Sequence, residues 1–370
     1  MTEPQNLSRA LERIRADVRA MHAYVVQPAT GMLKMDAMEN PFGLPPALQA
    51  ALGARLGALP LNRYPGERLE DLKQALMDYA GAPAGSSILL GNGSDEIISL
   101  LALACAQAGQ RAKLLAPMPG FVMYPMSAQL QGLDFVNVSL DADFELDEAA
   151  MIAAIAAHRP AITYLAYPNN PTATLWDEAV VQRVIDAAGE HGGLVVMDEA
   201  YQPFASRSWI TRMHAEPERN AHVLLMRTLS KFGLAGVRLG YLIGPAALVG
   251  EIDKVRPPYN VSVLNAEAAL FALEHTEVFA AQAAELCAAR GELLAALRRL
   301  PGVHKVWDSE ANMVLIRVTD APAAHARMKA RGVLVKNVSA MHPLLDQCLR
   351  LTVGSTADNA LMLAALEASI

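Results

Sequence analysis

Short, mainly apolar runs alternate with longer segments of helical periodicity along the middle of the chain. The runs are Ile88–Leu90, Lys113–Ala116, Ile162–Ala166, Leu194–Met197 and Val223–Met226. Continuous apolar runs are typical of strands that helices cover on both faces. Helical patterns lie between them, near Asp95–Gln107 and over Glu178–Glu190. The alternation predicts βαβ units around a mostly parallel sheet.

The pattern changes after about Asn260. A long helical pattern covers Leu264–Leu300, and three strand-like runs follow it, at Met313–Val318, Val333–Asn337 and Leu349–Val353. We therefore predict an α/β fold with a three-layer large domain and a smaller α+β domain. The predicted limits are residues 1–45 for an N-terminal segment that packs on the small domain, 46–260 for the large domain and 261–370 for the small domain.

Composition and charge exclude several classes of protein. With 53% hydrophobic residues among 370, the chain has enough apolar surface for a sizeable core. Its net charge of −7 argues against a nucleic-acid binder. The longest apolar run, Ile97–Ala106, is too short to span a membrane. Residues 2–20 mix acidic and basic side chains, unlike a signal or transit peptide, and predict a short amphipathic helix.

The three cysteines are Cys105, Cys287 and Cys348, and their spacing fits neither a metal site nor a disulfide framework. We predict no metal site. Scattered free cysteines suit a reducing compartment, so we expect a cytoplasmic location.

Loops with unusual chemistry follow the predicted strands. They cover residues 91–95, 119–121, 167–171, 198–201 and 227–231. In open α/β sheets, ligands bind beyond the carboxyl ends of the strands. Five polar loops at one edge therefore predict one composite site.

Lys231 lies just after the last of these strands, at the end of the loop of residues 227–231. A lone lysine is usually a solvated surface residue. Here hydroxyls at Thr228 and Ser230 and the guanidinium of Arg238 stand close to it in sequence, and these groups suit a phosphate dianion. A lysine that forms a Schiff base needs such cationic or poorly solvated surroundings, because its amine must be neutral part of the time.

Asp198 ends another buried strand, so its carboxylate needs a positively charged partner or a capping role. A protonated pyridine nitrogen is such a partner. Tyr201 and Asn170 are close enough in the predicted loops to reach a ring hydroxyl, although Asn-Pro sequences also mark plain turns.

Three further positions allow a functional and a structural interpretation. The loop before Ser94 and Asp95 leads into an apolar helix, whose free N–H groups attract phosphate, although an ordinary capped turn has the same pattern. Phe121 is suited to stacking on an aromatic ligand or to packing in the core. Arg350, in a predicted strand, is suited to a substrate carboxylate or to a structural ion pair.

Together these motifs resemble the fold-type-I aminotransferases of classes I and II. The resemblance rests on Asn169-Asn170-Pro171-Thr172, Asp198-Glu199-Ala200-Tyr201, Ser230-Lys231 with Arg238, and Leu349-Arg350-Leu351-Thr352-Val353-Gly354. It extends from about residue 24 to residue 355. Further motifs are similar to those of the histidinol-phosphate aminotransferases, namely Met38-Glu39-Asn40-Pro41, Arg63-Tyr64-Pro65, Gly91-Asn92-Gly93-Ser94-Asp95-Glu96 and Arg227-Thr228-Leu229-Ser230-Lys231.

The resemblance implies pyridoxal phosphate as cofactor, L-histidinol phosphate and 2-oxoglutarate as substrates, glutamate as a product, and a homodimer. Lys231 would carry the cofactor and move the proton between Cα and C4′. The implied cofactor contacts are Asp198 to the ring nitrogen, Asn170 and Tyr201 to the ring hydroxyl, Phe121 to the ring face, and Ser94, Asp95, Thr228, Ser230 and Arg238 to the phosphate. Tyr64 would reach the phosphate of the partner subunit, and Arg350, Tyr24 and Asn40 would contact substrate.

Two departures from the family pattern bear on the site. Ala173 replaces the usual glycine after Asn-Pro-Thr, and alanine tolerates a positive φ poorly, so we expect an altered turn. Phe121 stands where the family more often has tyrosine.

The sequence leaves three alternatives open. Two share the scaffold, an aromatic amino-acid aminotransferase and a decarboxylase of a phosphorylated amino acid such as threonine phosphate. The third is a pyridoxal-phosphate-binding regulator, which would need a DNA-binding module before the fold. About 30 residues precede the fold here, too few for such a module.

Overall fold

A computed structural model describes residues 5–21, 23, 27–107, 109 and 111–370. The chain divides into two compact units, Met1–Gly31 and Met32–Ile370. The first unit contains two short helices, α1 (Gln5–Leu11) and α2 (Ala16–Arg19), where sequence predicted one amphipathic helix. Tyr24, a predicted substrate contact, lies outside the described residues.

The second unit contains the strands and the remaining helices. The strands are β1 (Leu33–Met35), β2 (Ser86–Gly91), β3 (Lys113–Met118), β4 (Asp134–Ser139), β5 (Ile162–Ala166), β6 (Leu194–Asp198), β7 (Val223–Thr228), β8 (Gly240–Pro245), β9 (Val303–Val306), β10 (Met313–Val318), β11 (Val333–Asn337) and β12 (Cys348–Thr352). The helices are α3 (Pro46–Gly57), α4 (Arg68–Ala80), α5 (Ser94–Cys105), α6 (Met123–Gln131), α7 (Glu148–His158), α8 (Glu178–Glu190), α9 (Ile210–Ala215), α10 (Ala246–Asp253), α11 (Val263–Leu273), α12 (Thr276–Leu297), α13 (Ala321–Ala330) and α14 (Thr356–Glu367).

Across the described ranges, seven strands form the larger sheet in the order β2-β8-β7-β6-β5-β3-β4. All neighbouring pairs are parallel except those of β8, which is antiparallel to β2 and β7. Every residue of β5 and β7 is buried, because helices cover both faces of the sheet centre. The predicted α/β fold class is therefore confirmed.

The smaller sheet has the order β1-β11-β12-β10-β9 among the residues described. Only the β1–β11 pair is parallel, and the other pairs are antiparallel. Leu286, Leu293 and Leu297 of α12 belong to the same apolar core as the sheet residues Val314 and Leu351. The segment before residue 46 contributes β1 to this sheet, and the predicted domain limits stay a prediction.

Four strands carry no clear apolar signal and were not predicted. β8 contains Gly240 and Gly244, which weaken a strand pattern, yet a side chain at Gly244 would come within 2.5 Å of Leu224. Half of the residues of the edge strand β4 are polar, and β1 and β9 are only three and four residues long. The predicted long helix over residues 264–300 is in fact two helices, α11 and α12, that break at Glu274 and His275.

Several helices of the second unit, among them α7 and α8, begin with a side-chain cap. Asp147 accepts the backbone N–H of Ala150, and Asp177 accepts those of Ala179 and Val180. Such caps satisfy N–H groups that have no intrahelical partner. Helix α5 has no such cap, because its cap residue is a glycine without a side chain, and this leaves its first N–H groups for another acceptor. No helix among the described residues is long and apolar enough to cross a membrane.

Candidate active site

The strand register brings the polar loops to one edge of the larger sheet. Ala166, Asp198 and Met226 lie side by side on β5, β6 and β7. Because β2 and β7 are both antiparallel to β8, they run in the same direction, and Gly91 and Thr228 both lie opposite Gly240. The loops that follow these strands therefore meet, as the sequence predicted.

Hydroxyl and guanidinium groups cluster beside the start of α5. Thr228 Oγ1 lies 3.0 Å from Ser230 Oγ, and Arg238 Nη1 lies 3.5 Å from the same oxygen. Arg238 Nη2 is 3.8 Å from the Asp95 carboxylate. Ser94 and Asp95 are the first two residues of α5, so their N–H groups lack intrahelical acceptors. We call Ser94, Asp95, Thr228, Ser230 and Arg238 the anion cradle.

Two glycines are required for this close approach. Gly93 has φ 81°, and a Cβ atom there would lie 2.7 Å from Arg238 Nη2. A Cβ atom on Gly240 would lie 2.7 Å from the carbonyl carbon of Gly93 and from the Ser94 nitrogen. Glycine at both positions thus allows the start of α5, the start of β8 and the Arg238 guanidinium to approach one another around a space suited to an anion.

Lys231 lies on a wide helical turn at residues 230–234, directly after Ser230 of the anion cradle. Its Nζ atom donates to the carbonyl oxygen of Ala37 at 2.8 Å and lies 5.9 Å from the centre of the Tyr201 ring. Burial, and then the positive charge of Arg350, lower the pKa of this amine to about 8. A useful fraction of the amine is therefore neutral near neutral pH.

Asp198 is a buried carboxylate, only 5% exposed. Its Oδ2 accepts a hydrogen bond from the Tyr124 hydroxyl at 2.6 Å, and its Oδ1 accepts the Ala200 N–H at 3.1 Å. Burial raises the pKa of this carboxyl to about 6. Among the described residues, no lysine, arginine or histidine lies within ion-pair distance of Asp198. Asp198 also caps no helix, since the cap position of the short helix that follows is Tyr201.

Asn170, Tyr201 and Arg350 form a chain of hydrogen bonds. Asn170 Nδ2 donates to the Tyr201 hydroxyl at 3.0 Å, and Arg350 Nη1 donates to Asn170 Oδ1 at 2.7 Å. Arg350 Nη2 donates to the carbonyl oxygen of Asp36 at 2.7 Å. Since Arg350 lies on β12, this chain joins the smaller sheet to the loop that follows β5.

The other predicted site residues lie apart from these contacts or use different partners. Phe121 is half-buried and packs edge-to-face on Tyr124, with ring centres 5.6 Å apart. Asn40 donates to Gln282 and accepts the N–H of Phe42, close to Gly233. Tyr64 is 78% exposed and stacks on Tyr259, with centres 4.5 Å apart. The roles of all these residues stay predictions.

The turn at Ala173 differs from expectation. Its φ is 61°, so the alanine takes the left-handed conformation that we expected only a glycine to take easily. The Ala173 N–H donates to the carbonyl of Asn169 at 2.8 Å, and the residue is fully buried. The turn is thus formed with an L-residue in it, at a conformational cost of about 1–2 kcal/mol.

Sequence reasoning missed two groups at this edge of the sheet. Tyr124, on α6, bonds to Asp198, and the only available signal was its position three residues after Phe121. Glu199 and Arg227 form a buried ion pair at 2.9 Å, and Ser208 bonds to both. Each member of that pair adjoins a predicted site residue, Asp198 or Thr228, so the pair fixes two strand ends to each other.

Comparison with known proteins shows the family to which the chain belongs. The family described as aminotransferase class I and II matches residues 30–368. A histidinol-phosphate aminotransferase from Acidovorax sp. (strain JS42) is 79% identical over 370 residues, which cover 100% of both chains. The structure of a histidinol-phosphate aminotransferase from Clostridium acetobutylicum has a TM-score of 0.82 at 22% identity and covers 91% of this chain and 98% of that chain. One from Sinorhizobium meliloti, in complex with pyridoxal-5'-phosphate, has a TM-score of 0.81 at 24% identity and covers 96% and 97%. The chain therefore belongs to the class I and II aminotransferase family.

Proposed function

We propose that the chain transfers the amino group of L-histidinol phosphate to 2-oxoglutarate, with pyridoxal phosphate as cofactor, in histidine biosynthesis. The observation that carries the proposal is the pairing of Lys231, an amine with a lowered pKa, with a buried carboxylate and an anion cradle at one sheet edge. The full-length identity of 79% to a protein named histidinol-phosphate aminotransferase supports the substrate.

The residues present fit pyridoxal phosphate. The anion cradle offers helix N–H groups, two hydroxyls and a guanidinium, the donors that a phosphate dianion needs. Buried Asp198 has no cationic partner among the described residues, and a protonated ring nitrogen would supply one. Tyr201 accepts from Asn170, which leaves its own proton to donate to a ring oxygen.

When bound, the cofactor supplies an electron-withdrawing ring that makes the Cα proton of an amino substrate more acidic. Lys231 Nζ, neutral part of the time, is the group that takes this proton. The Asp198 carboxylate holds a proton on the ring nitrogen, because a buried negative charge favours a positive neighbour. Burial of the site excludes water and strengthens these interactions.

Arg350 is the group proposed for the carboxylate of 2-oxoglutarate and glutamate. Its guanidinium is oriented by the Asn170 side chain and the Asp36 carbonyl, so it is already in place beside Lys231. A carboxylate there would accept charge-assisted hydrogen bonds from the planar guanidinium. L-histidinol phosphate carries no carboxylate, so its distal phosphate must use other donors.

A panel of amino donors tests the proposal against its two runners-up. The purified chain with pyridoxal phosphate is given L-histidinol phosphate, an aromatic amino acid or threonine phosphate, each with 2-oxoglutarate. Glutamate formation with histidinol phosphate, at a kcat/KM at least tenfold above the others, is the expected result. Preferred turnover of the aromatic donor, or release of CO₂ from threonine phosphate without glutamate, contradicts it.

We also propose a cytoplasmic homodimer, in which Tyr64 serves the site of the partner subunit. The exposed Tyr64–Tyr259 stack supports an interface, since large exposed aromatic side chains favour burial against a partner. Sedimentation at micromolar concentration should give twice the mass of one chain. A monomer that retains full turnover would contradict the proposal.

A further inference from the structure

Tyr124 contacts Asp198 directly and had no assigned part in the site. Its hydroxyl donates to Asp198 Oδ2 at 2.6 Å, a short distance that is typical of a bond to an ionised carboxylate. The side chain is 1% exposed. Its ring stacks on Tyr164, with centres 4.3 Å apart and planes 16° from parallel, and Phe121 packs against its edge.

We propose that Tyr124 is a positioning residue of the active site, whose hydroxyl keeps the Asp198 carboxylate ionised and oriented toward the protonated ring nitrogen of the cofactor. This inference rests on the proposed cofactor chemistry. Its basis is geometric, because Asp198 is held at one oxygen by the Ala200 N–H and at the other by Tyr124. Two fixed donors leave the carboxylate little freedom to rotate.

The electrostatic surroundings of Asp198 make this hydroxyl important. The other titratable side chains that interact with Asp198 are Tyr164 on β5, Asp95 on α5, and Glu199 and Tyr201 after β6. The two acidic ones disfavour its charge, and Arg227 on the neighbouring strand β7 is engaged by Glu199. Burial also disfavours the charge on Asp198. The hydrogen bonds from the Tyr124 hydroxyl and the Ala200 N–H favour the ionised carboxylate.

Tyr124→Phe tests the inference because it removes only the hydroxyl and keeps the stacked ring. Tyr164→Phe is the matched control, since the Tyr164 hydroxyl is buried in the same stack without a hydrogen-bond partner among the described residues. Both variants lose one buried oxygen, but only Tyr124→Phe takes a donor from Asp198. A merely structural role of the two tyrosines would make the variants behave alike.

The first readout is the unfolding midpoint of the cofactor-free chain between pH 5 and pH 8. Without its Tyr124 donor, Asp198 should release its proton at higher pH in the folded chain. The gap between Tyr124→Phe and the unmodified chain should therefore widen as pH rises, whereas the Tyr164→Phe profile should run parallel. Parallel profiles for all three proteins overturn the inference.

The second readout is the affinity for pyridoxal phosphate, measured by absorbance at pH 5.5 and pH 8. At each pH, the affinity of Tyr124→Phe is divided by that of the unmodified chain. This ratio should be about tenfold lower at pH 5.5 than at pH 8, which corresponds to a rise of one in the pKa of Asp198. Tyr164→Phe should show no such change. An unmodified chain that binds no pyridoxal phosphate would overturn the proposed function itself, whereas binding with equal pH dependence in both variants would overturn only the role of Tyr124.

Discussion

Removal from water shifts the pKa of Lys231 and the pKa of Asp198 in opposite directions. Burial lowers the pKa of the amine to about 8 and raises that of the carboxyl to about 6. Both shifts disfavour charge in the folded chain. A cofactor that places positive charge beside Asp198 would relieve the second effect, which is why the two residues suit one ligand.

A pH dependence of stability follows for the cofactor-free chain. Folded Asp198 has a pKa of about 6, above its ordinary 3.8, so it binds its proton more tightly when folded. The contribution of Asp198 to the free energy of unfolding is therefore largest below pH 4. It falls by about 3 kcal/mol in all as the pH rises through 6. Comparing Asp198→Asn with the unmodified chain by urea unfolding from pH 4 to pH 7 checks this. A constant difference across that range would contradict it.

Ala173 offers a second test at this scale. A β-branched side chain is a poor fit to its φ of 61° and to its fully buried position, so Ala173→Val should lower the free energy of unfolding by about 2–3 kcal/mol or more. Ala173→Gly should change it by less than about 1 kcal/mol, because relief of the strained conformation offsets the lost methyl group and the added freedom of the unfolded chain. Urea unfolding measures both. Equal stability of the two variants would show that the turn imposes no such constraint.

At the scale of elements, the site depends on how closely β8 packs against the start of α5. Gly240→Ala would place a methyl group 2.7 Å from Gly93 and Ser94, and the loop would have to move. Affinity for pyridoxal phosphate should fall at least about tenfold, since phosphate binding depends on the position of those N–H groups. Gly250→Ala on α10 is the control, because nothing lies within 4 Å of the new methyl group there. Unchanged affinity in Gly240→Ala would contradict the assignment of the cradle.

The buried Glu199–Arg227 pair joins the ends of β6 and β7. Arg227→Met should lower the free energy of unfolding by about 3–5 kcal/mol, because it leaves the Glu199 charge buried without its partner. Adding Glu199→Gln should recover part of that loss, since the double variant buries no charge and the amide oxygen can still accept from Ser208 and Trp209. Chemical unfolding of the single and double variants measures this. If the second substitution instead adds a further loss, the pair does not act as a unit.

For the whole molecule, the parallel core of the fold was predictable and its edges were not. β5, β10 and β11 match their predicted ranges because buried apolar runs have a strong local signal. β8 was missed because Gly240 and Gly244 are fixed by contacts with distant segments, which no local pattern reports. The break between α11 and α12 was missed because neither glycine nor proline marks it.

The candidate site shows the same division. Asp198 ends a strand and Lys231 and Asn170 follow strands, and the rule that ligands bind at the carboxyl edge was enough to place them together. Arg238 was predicted from its nearness to Lys231 in the sequence. Tyr124 lies inside a helix, and its bond to Asp198 depends on how α6 packs on the sheet. Contacts that depend on packing between elements are therefore the part of the site that required the structure.

Turnover by Lys231→Ala is the most direct test of the central claim. Glutamate formation from L-histidinol phosphate and 2-oxoglutarate should fall by about 10²–10⁴-fold or more, because the group that takes the Cα proton is gone. Lys254→Ala, which changes an exposed lysine paired with Glu251, should keep full turnover. Full activity of Lys231→Ala, or no glutamate formation by the unmodified chain, would contradict the account.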